Sequence, residues 1–334
     1  MKIIFQLLLI NLLLWANAAA FAKQALIIDT DMNTDDGIAL LYLLNNKNVN
    51  IKAITVEANA SVHCYPALQN MAGLIALAQH AAIPTACGGE NTLPGGHRFP
   101  EALISEDDKL SNSSDLLPRR QVKVNHHAIS LLQKTLRNVA EPVDILVLGP
   151  ATNLVEFLEQ NPSLKHKIRR IYMMGGAVHV PGNLQLVNPA NQNKLAEWNI
   201  YFDPKAASMI FNSGVPIFLV PLDVTNHFPL NKNFFSKLKN EPGLPSMHYF
   251  YELLNRNQDF LASGRWYFWD PLAAVIAANP EIAEFQLKKI SVLQSPEKKS
   301  GAIVIDDKNG NQVHVCQRVN SNKFEALLLA GLTH

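Results

Sequence analysis

Four aspartates, Asp29, Asp31, Asp35 and Asp36, fall within eight residues of the stretch LIIDTDMNTDDGIALLYLL, with no lysine or arginine among them. Carboxylates this close repel one another, and gathering them where a strand ends costs free energy unless something cationic binds there. Asp29 closes a short apolar run and Asp35–Asp36 open a helical pattern, so the group lies outside the carboxyl end of a strand. Open α/β sheets bind their ligands at such places. A helix N-terminus favours aspartate by roughly 0.3–1 kcal/mol, and capping accounts for one or two of the four. All four together point to a hard divalent cation with oxygen ligands, Ca2+ or Mg2+.

Two readings of this motif fail on residue identity. An EF-hand loop would need glycine where Thr34 stands and a bidentate glutamate where Leu40 stands. A phosphatase opening on D-x-D would want Thr or Val in place of Asn33 and has no use for the Asp35–Asp36 pair. A third reading agrees with the rest of the chain. The stretch resembles the opening motif of the nucleoside hydrolase family, the calcium-dependent, inosine–uridine preferring N-ribohydrolases. Further motifs follow in that family's order: ITVEAN (residues 54–59), LGPATNL (148–154), IYMMGGAV (171–178), AEWNIYFDPKAA (196–207), VPLDVT (220–225) and WDPLAAV (269–275).

The resemblance implies a reaction and a site. Cleaving an N-glycosidic bond requires an activated water, support for an oxocarbenium-like ribose and a route for the base to leave. By the resemblance, Asp31, Asp36, Asp270 and the backbone carbonyl of Leu148 hold Ca2+, and Asp31 is also the general base. Asp35 is expected on the ribose 2′-hydroxyl, and Glu197 and Asn199 on the 5′- and 3′-hydroxyl side. Trp198 lies between them against sugar or base. Asn59 matches a ribose-pocket asparagine, and Met174 is expected to face the sugar. An insertion leaves Asn183, Asn191 and Asn193 as rivals for one further sugar contact; Asn193 is preferred, four residues before Glu197. Asp29 is expected to brace the loop from behind.

At the position before the final aspartate, members that accept both inosine and uridine often carry a histidine that protonates the base. Trp269 stands there instead, as in the purine-specific branch, where it stacks on the leaving ring. Stacking on an aromatic is worth roughly 1–3 kcal/mol per base, and only a purine offers N7 for protonation. The expected activity is therefore hydrolysis of ribonucleosides to base and ribose, with purine nucleosides preferred. His97, in GGHRFP, is the candidate acid of the leaving group, with Phe99 as a second stacking wall. Two rival functions are a non-catalytic nucleoside- or sugar-binding protein on the same scaffold and the D-x-D phosphatase.

The elements that must position these residues read as an α/β chain. Apolar runs at 25–28, 51–56, 143–149, 168–176 and 215–221 read as strands, and alternate with helical patterns at 35–44, 66–80, 126–139 and 204–211. Such alternation predicts a single-domain, mostly parallel, Rossmann-like sheet flanked by helices. A long helix over 246–262, a C-terminal hairpin turning at Asn309–Gly310 and a last helix near 322–329 complete the reading. Residues 94–125 form a long polar loop that starts at a glycine pair, and 181–193 an Asn-rich one.

Composition limits the partners. With 48% hydrophobic residues, 17% charged and a formal net charge of +1, the 334-residue chain reads as soluble and has no basic surface for nucleic acid. Lys2, the apolar run after it and NAAAFA read as a signal peptide over 1–22, cut after Ala20 or Ala22, with the domain at 23–334 and a secreted or periplasmic location free of stable membrane association after cleavage. The rival reading is an uncleaved signal anchor, since residues 3–22 are just long enough to span a bilayer. The family resemblance implies a homo-oligomer, a dimer or tetramer. Cys64, Cys87 and Cys316 allow at most one pair and are read as ordinary buried cysteines.

Overall fold

Leu26, Ile27 and Ile28 are wholly buried, although they are consecutive and must face alternate sides of their strand. A strand covered on both faces is the mark of a parallel sheet between two helical layers. The structure, a computed structural model, describes residues 23–238 and 243–333. The expected signal segment lies outside the described residues. Among the described residues nine strands form one sheet: β1 (Gln24–Thr30), β2 (Val49–Val56), β3 (Thr85–Cys87), β4 (Val143–Val147), β5 (Ile168–Met174), β6 (Ile217–Val220), β7 (Ala283–Val292), β8 (Ile303–Ile305) and β9 (Asn311–Val319). Their order is β3-β2-β1-β4-β5-β6-β9-β7-β8. The strands from β3 to β9 in that order run parallel, and β7 is antiparallel to both β9 and β8.

Ile27 joins the hydrophobic layer made by helices Ala128–Asn138, Thr152–Gln160 and Pro204–Phe211. Leu26 and Ile28 join the opposite layer, with helices Thr34–Asn45, Cys64–Leu77, Pro245–Arg256, Trp269–Ala278 and Ser321–Leu332. The chain leaves β1 toward β2 and β3 on one side and returns through β4, β5 and β6 on the other. The gap between the carboxyl ends of β1 and β4 is therefore a topological switch point, where a ligand crevice opens.

The fold corrects several expectations. No C-terminal hairpin joins β8 to β9, because β7 lies between them and pairs with both. Its sequence AEFQLKKISV alternates and is half-exposed, so it carries no apolar run. The long helix over 246–262 is two, Pro245–Arg256 and Gln258–Ala262. Between them the Asn257 amide donates to the Leu253 carbonyl and to that of Ser111, each at 2.8 Å, which ties the break to the polar loop. That loop holds a helix, Glu101–Asp107. The cysteines are also corrected: Cys64 and Cys87 form a disulfide that staples the start of one helix to the end of β3, and Cys316 is free and buried.

Candidate active site

The chain passes from β1 into the helix Thr34–Asn45 through Met32, whose φ of 55° lies in the left-handed region. A fully buried non-glycine residue there is strained, and such strain concentrates at functional sites. The turn is held at both ends. Asn33 caps the helix by accepting the Asp35 N–H at 3.2 Å, and Asp36 accepts the Asn33 N–H at 3.1 Å, which completes a capping box. Thr30 Oγ1 donates to the other Asp36 oxygen. Asp31 is left pointing over the switch point, where its carboxylate accepts from Asn33 Nδ2 at 3.2 Å and from Ser61 Oγ at 3.1 Å.

One carboxylate oxygen from each of Asp31, Asp36 and Asp270 lies within 4.8 Å of the others, although Asp270 comes from the far end of the chain. Asp270 is delivered by the first turn of the helix Trp269–Ala278. Its Oδ1 is buried without a hydrogen-bond partner. A buried carboxylate oxygen left bare costs several kcal/mol unless an ion completes it. Three hard oxygen donors around such an orphan fit a hard divalent cation. Electrostatics point the same way. Burial pushes Asp36 and Asp270 well above the ordinary carboxylate range, with repulsion from Asp31 and Asp35 adding to both. Burial likewise raises Asp31 to about 7 and Asp35 to about 6. Without a cation these groups can share the site only by keeping protons.

Asp31, Asp35 and Asp270 floor a cavity of about 790 Å³, whereas Asp36 is fully buried and is not among its lining residues. Asp31, Asp35, Asp270, Met174, Glu197, Trp198, Asn199 and Trp269, all expected from the sequence, line it. The Leu148 side chain is in the core, and its carbonyl accepts from Asn199 Nδ2 at 3.1 Å, which leaves that oxygen a second lone pair. Asn199 also donates to the Met174 carbonyl at 3.2 Å, tying the ends of β4 and β5 together. Glu197 caps the helix Trp198–Phe202, accepting N–H groups from Asn199, Ile200 and Gly176 at 2.9, 3.2 and 2.8 Å. Burial nonetheless pushes it up to about 7. With three acceptor positions filled, a carboxylate has about one left for a ligand hydroxyl. Phe99 forms a wall as expected, edge-on to Trp198 at 4.8 Å.

Three expected site residues lie elsewhere. His97 stacks on Tyr201 at 3.8 Å and its Nε2 is 3.1 Å from Ser300 Oγ, outside the cavity. Asn193 donates to the Ser300 carbonyl at 2.7 Å and accepts two loop N–H groups, so it shapes its own loop. Its rival Asn183 lines the cavity and accepts the Trp198 N–H at 3.0 Å. Asn59 turns away to donate to Thr152 Oγ1 at 2.9 Å. Asp29 braces the turn from behind, accepting from Thr55 Oγ1 at 2.6 Å and Asn153 Nδ2 at 2.9 Å. Ser61 and Asp107, both facing the cavity, were not legible in the sequence. Ser61 falls in ANAS without a motif, and Asp107 sits in a loop whose path only the fold defines.

Residues 26–326 match the family described as inosine-uridine preferring nucleoside hydrolase. The chain belongs to the nucleoside hydrolase family. It is similar to nucleoside hydrolase 3 of Arabidopsis thaliana, 31% identical over 66% of this chain but only 31% of that longer protein. It is also similar to the pyrimidine-specific ribonucleoside hydrolase RihA of Salmonella paratyphi B, 30% identical over 84% of this chain and 88% of that one. The fold matches the purine-preferring ribonucleoside hydrolase of Gardnerella vaginalis with a TM-score of 0.75 at 21% identity, over 93% of this chain and 98% of that one. Nucleoside hydrolases are metal-dependent glycosidases acting on N-ribosyl bonds, and this one carries the Asp-rich site such an enzyme needs.

Proposed function

We propose that this nucleoside hydrolase uses Ca2+ to cleave ribonucleosides, with purine nucleosides preferred. The observation that carries the reading is the convergence of Asp31, Asp36 and Asp270, with Asp31 and Asp270 on the floor of a cavity whose walls are aromatic. The three carboxylates would hold the ion, with the Leu148 carbonyl beside them. When bound, the ion supplies positive charge that acidifies a water and offsets the repulsion among the aspartates.

The chain's own residues do the rest. Asp31, steered by Ser61 and Asn33, takes the proton of the attacking water. Asp35 accepts the ribose 2′-hydroxyl, while Asn199, the free position on Glu197 and Asn183 receive the remaining hydroxyls. Holding sugar and water in one orientation is itself worth several kcal/mol of barrier. Trp198, Trp269, Phe99 and Phe202 enclose the base and exclude solvent from it.

The purine preference is supported by that enclosure, by Trp269 at the position where dual-specificity members often carry histidine, and by the absence of any histidine from the cavity lining among the described residues. Export through a signal peptide is part of the same reading, and the Cys64–Cys87 disulfide supports an oxidising compartment. The experiment is release of free base from inosine, guanosine, adenosine, uridine and cytidine, with calcium and with chelator. Calcium-dependent cleavage of the purine nucleosides first is the expected result. Faster cleavage of uridine and cytidine would place the enzyme with the pyrimidine-specific relative and end the purine reading.

A further inference from the structure

A purine leaves readily when its ring is protonated as the C1′–N9 bond breaks, and an acid facing the cavity would supply that proton faster than solvent. The titratable lining residues are few. Asp31, Asp35 and Asp270 are committed to the floor, and Glu197 is held by three backbone donors. Glu106, Lys109 and Arg265 are exposed at the mouth. Asp107 remains. It is the last residue of the helix Glu101–Asp107, partly buried, and its side chain faces the cavity.

Its placement is fixed by its neighbours. Asp108 accepts the His63 N–H at 2.9 Å and pairs with His63 Nδ1 at 2.7 Å, and its carbonyl accepts from Asn70 Nδ2 at 2.9 Å. Ile104 and Leu110 are buried on either side. These anchors turn Asp108 outward to the helix Cys64–Leu77 and leave Asp107 turned inward. Among the described residues, none donates a hydrogen bond to its carboxyl.

Resting on the purine reading above, we propose that Asp107 is the acid that protonates the departing base. As water adds to C1′, the C1′–N9 bond breaks, its electron pair passes into the ring, and the Asp107 proton moves to N7. Asp31 receives the proton lost by the water, and exchange with solvent restores both groups, so ribose and neutral base are the only products. Burial holds the Asp107 carboxyl well above the ordinary range, and the charges of Asp31 and Asp35 across the cavity and of Glu106 and Asp108 beside it act in the same direction. Lys109 and Arg265, on the cavity wall, oppose them from exposed positions where solvent screens their charge. A carboxylic acid kept neutral near pH 7 by such surroundings is suited to donating a proton.

The test compares two leaving groups. Inosine needs its ring protonated, whereas p-nitrophenyl riboside releases a stable anion without an acid. Asp107→Asn should lower kcat/KM for inosine by roughly 100-fold or more while changing p-nitrophenyl riboside only a few-fold, and it should remove the alkaline limb of the inosine pH profile. Asp107→Glu should recover part of the inosine rate. Equal losses on both substrates, or no loss on inosine, would overturn the assignment. A wild-type enzyme that cleaves uridine but not inosine would instead overturn the purine reading, and this assignment with it.

Discussion

Asp35 Oδ2 accepts the backbone N–H of Asp270 at 3.3 Å, across 235 residues of chain. The contact sets the N-terminal turns of two helices, Thr34–Asn45 and Trp269–Ala278, against each other, so their positive ends face a common point. Two helix dipoles soften the repulsion among four aspartates but do not cancel it. The site is complete only when both ends of the chain are in place, which couples the chemistry to the whole fold.

Asp270→Asn should therefore act with opposite sign on the two states of the protein. Without metal, burial and the neighbouring carboxylates make Asp270 fold only with a proton held, which costs stability at neutral and higher pH. An amide needs no proton, so the melting temperature at pH 8 should rise. With metal, a ligand is lost. An ion present at 100 times its Kd stabilises a fold by about 2.7 kcal/mol, and a 100-fold loss of affinity removes most of that. Thermal unfolding in chelator and in calcium measures both arms. A variant that is destabilised in chelator, yet keeps the full calcium shift, would show that Asp270 is structural.

The pH dependence follows from the same carboxyls. Asp31 and Glu197 are raised by burial to about 7, and Asp29 and Asp35 to about 6, against roughly 4 in an unfolded chain. Acids with raised pKa values hold more protons when folded, so their stability is present below about pH 4 and is lost as pH rises through 6 to 7. The metal-free protein should melt at a lower temperature at pH 8 than at pH 5. Calcium should flatten or reverse that slope, since binding requires the ionised carboxylates. A metal-free melting temperature that climbs from pH 5 to pH 8 would contradict the placement of these groups.

Trp269→His tests the aromatic wall. Trp269 lines the cavity at the start of its helix, 5.6 Å from Tyr267, with its indole Nε1 buried and unbonded. Losing the stack should lower kcat/KM for inosine by roughly 10–100-fold, which corresponds to about 1–3 kcal/mol. The imidazole offers a proton that a pyrimidine can use, so the uridine-to-inosine ratio should rise. An unchanged ratio would mean that Trp269 packs the helix and does not touch the base.

How much of this was visible beforehand depended on whether a residue's role is local. Strands β1, β2, β4, β5 and β6 are buried on both faces, and an apolar run is what such burial requires. Asp31 and Asp36 belong to a turn whose capping chemistry is written in consecutive residues. The strand β7 escaped because it sits near the sheet edge, where half-exposure permits charged residues. Asn183 and Asn193 have the same chemistry and similar spacing, and only the packing of their loop against Ser300 separates them. His97 looked catalytic by type, but its ring is used in a stack with Tyr201. Asp107 depends on where a long loop folds back, and no local pattern encodes that.

Gly149 offers a test of positioning that leaves every polar group intact. It follows β4 at the switch point, and a Cβ built there would lie 2.8 Å from Asp31 Cβ and 3.0 Å from the Asp31 nitrogen. Neither neighbour is the free end of a flexible chain, so Gly149→Ala must move Asp31 or the strand end that carries Leu148. Overpacking of this kind costs roughly 1–3 kcal/mol of stability. A displacement approaching 1 Å at a catalytic group costs about 100-fold in rate. The variant should fold, should bind calcium more weakly, and should lose roughly 10–100-fold in kcat. Gly89, which has open space around it, is the control, and Gly89→Ala should behave as wild type. Full turnover by Gly149→Ala would mean that Asp31 can shift without penalty, which a general base held by Ser61 and Asn33 cannot do.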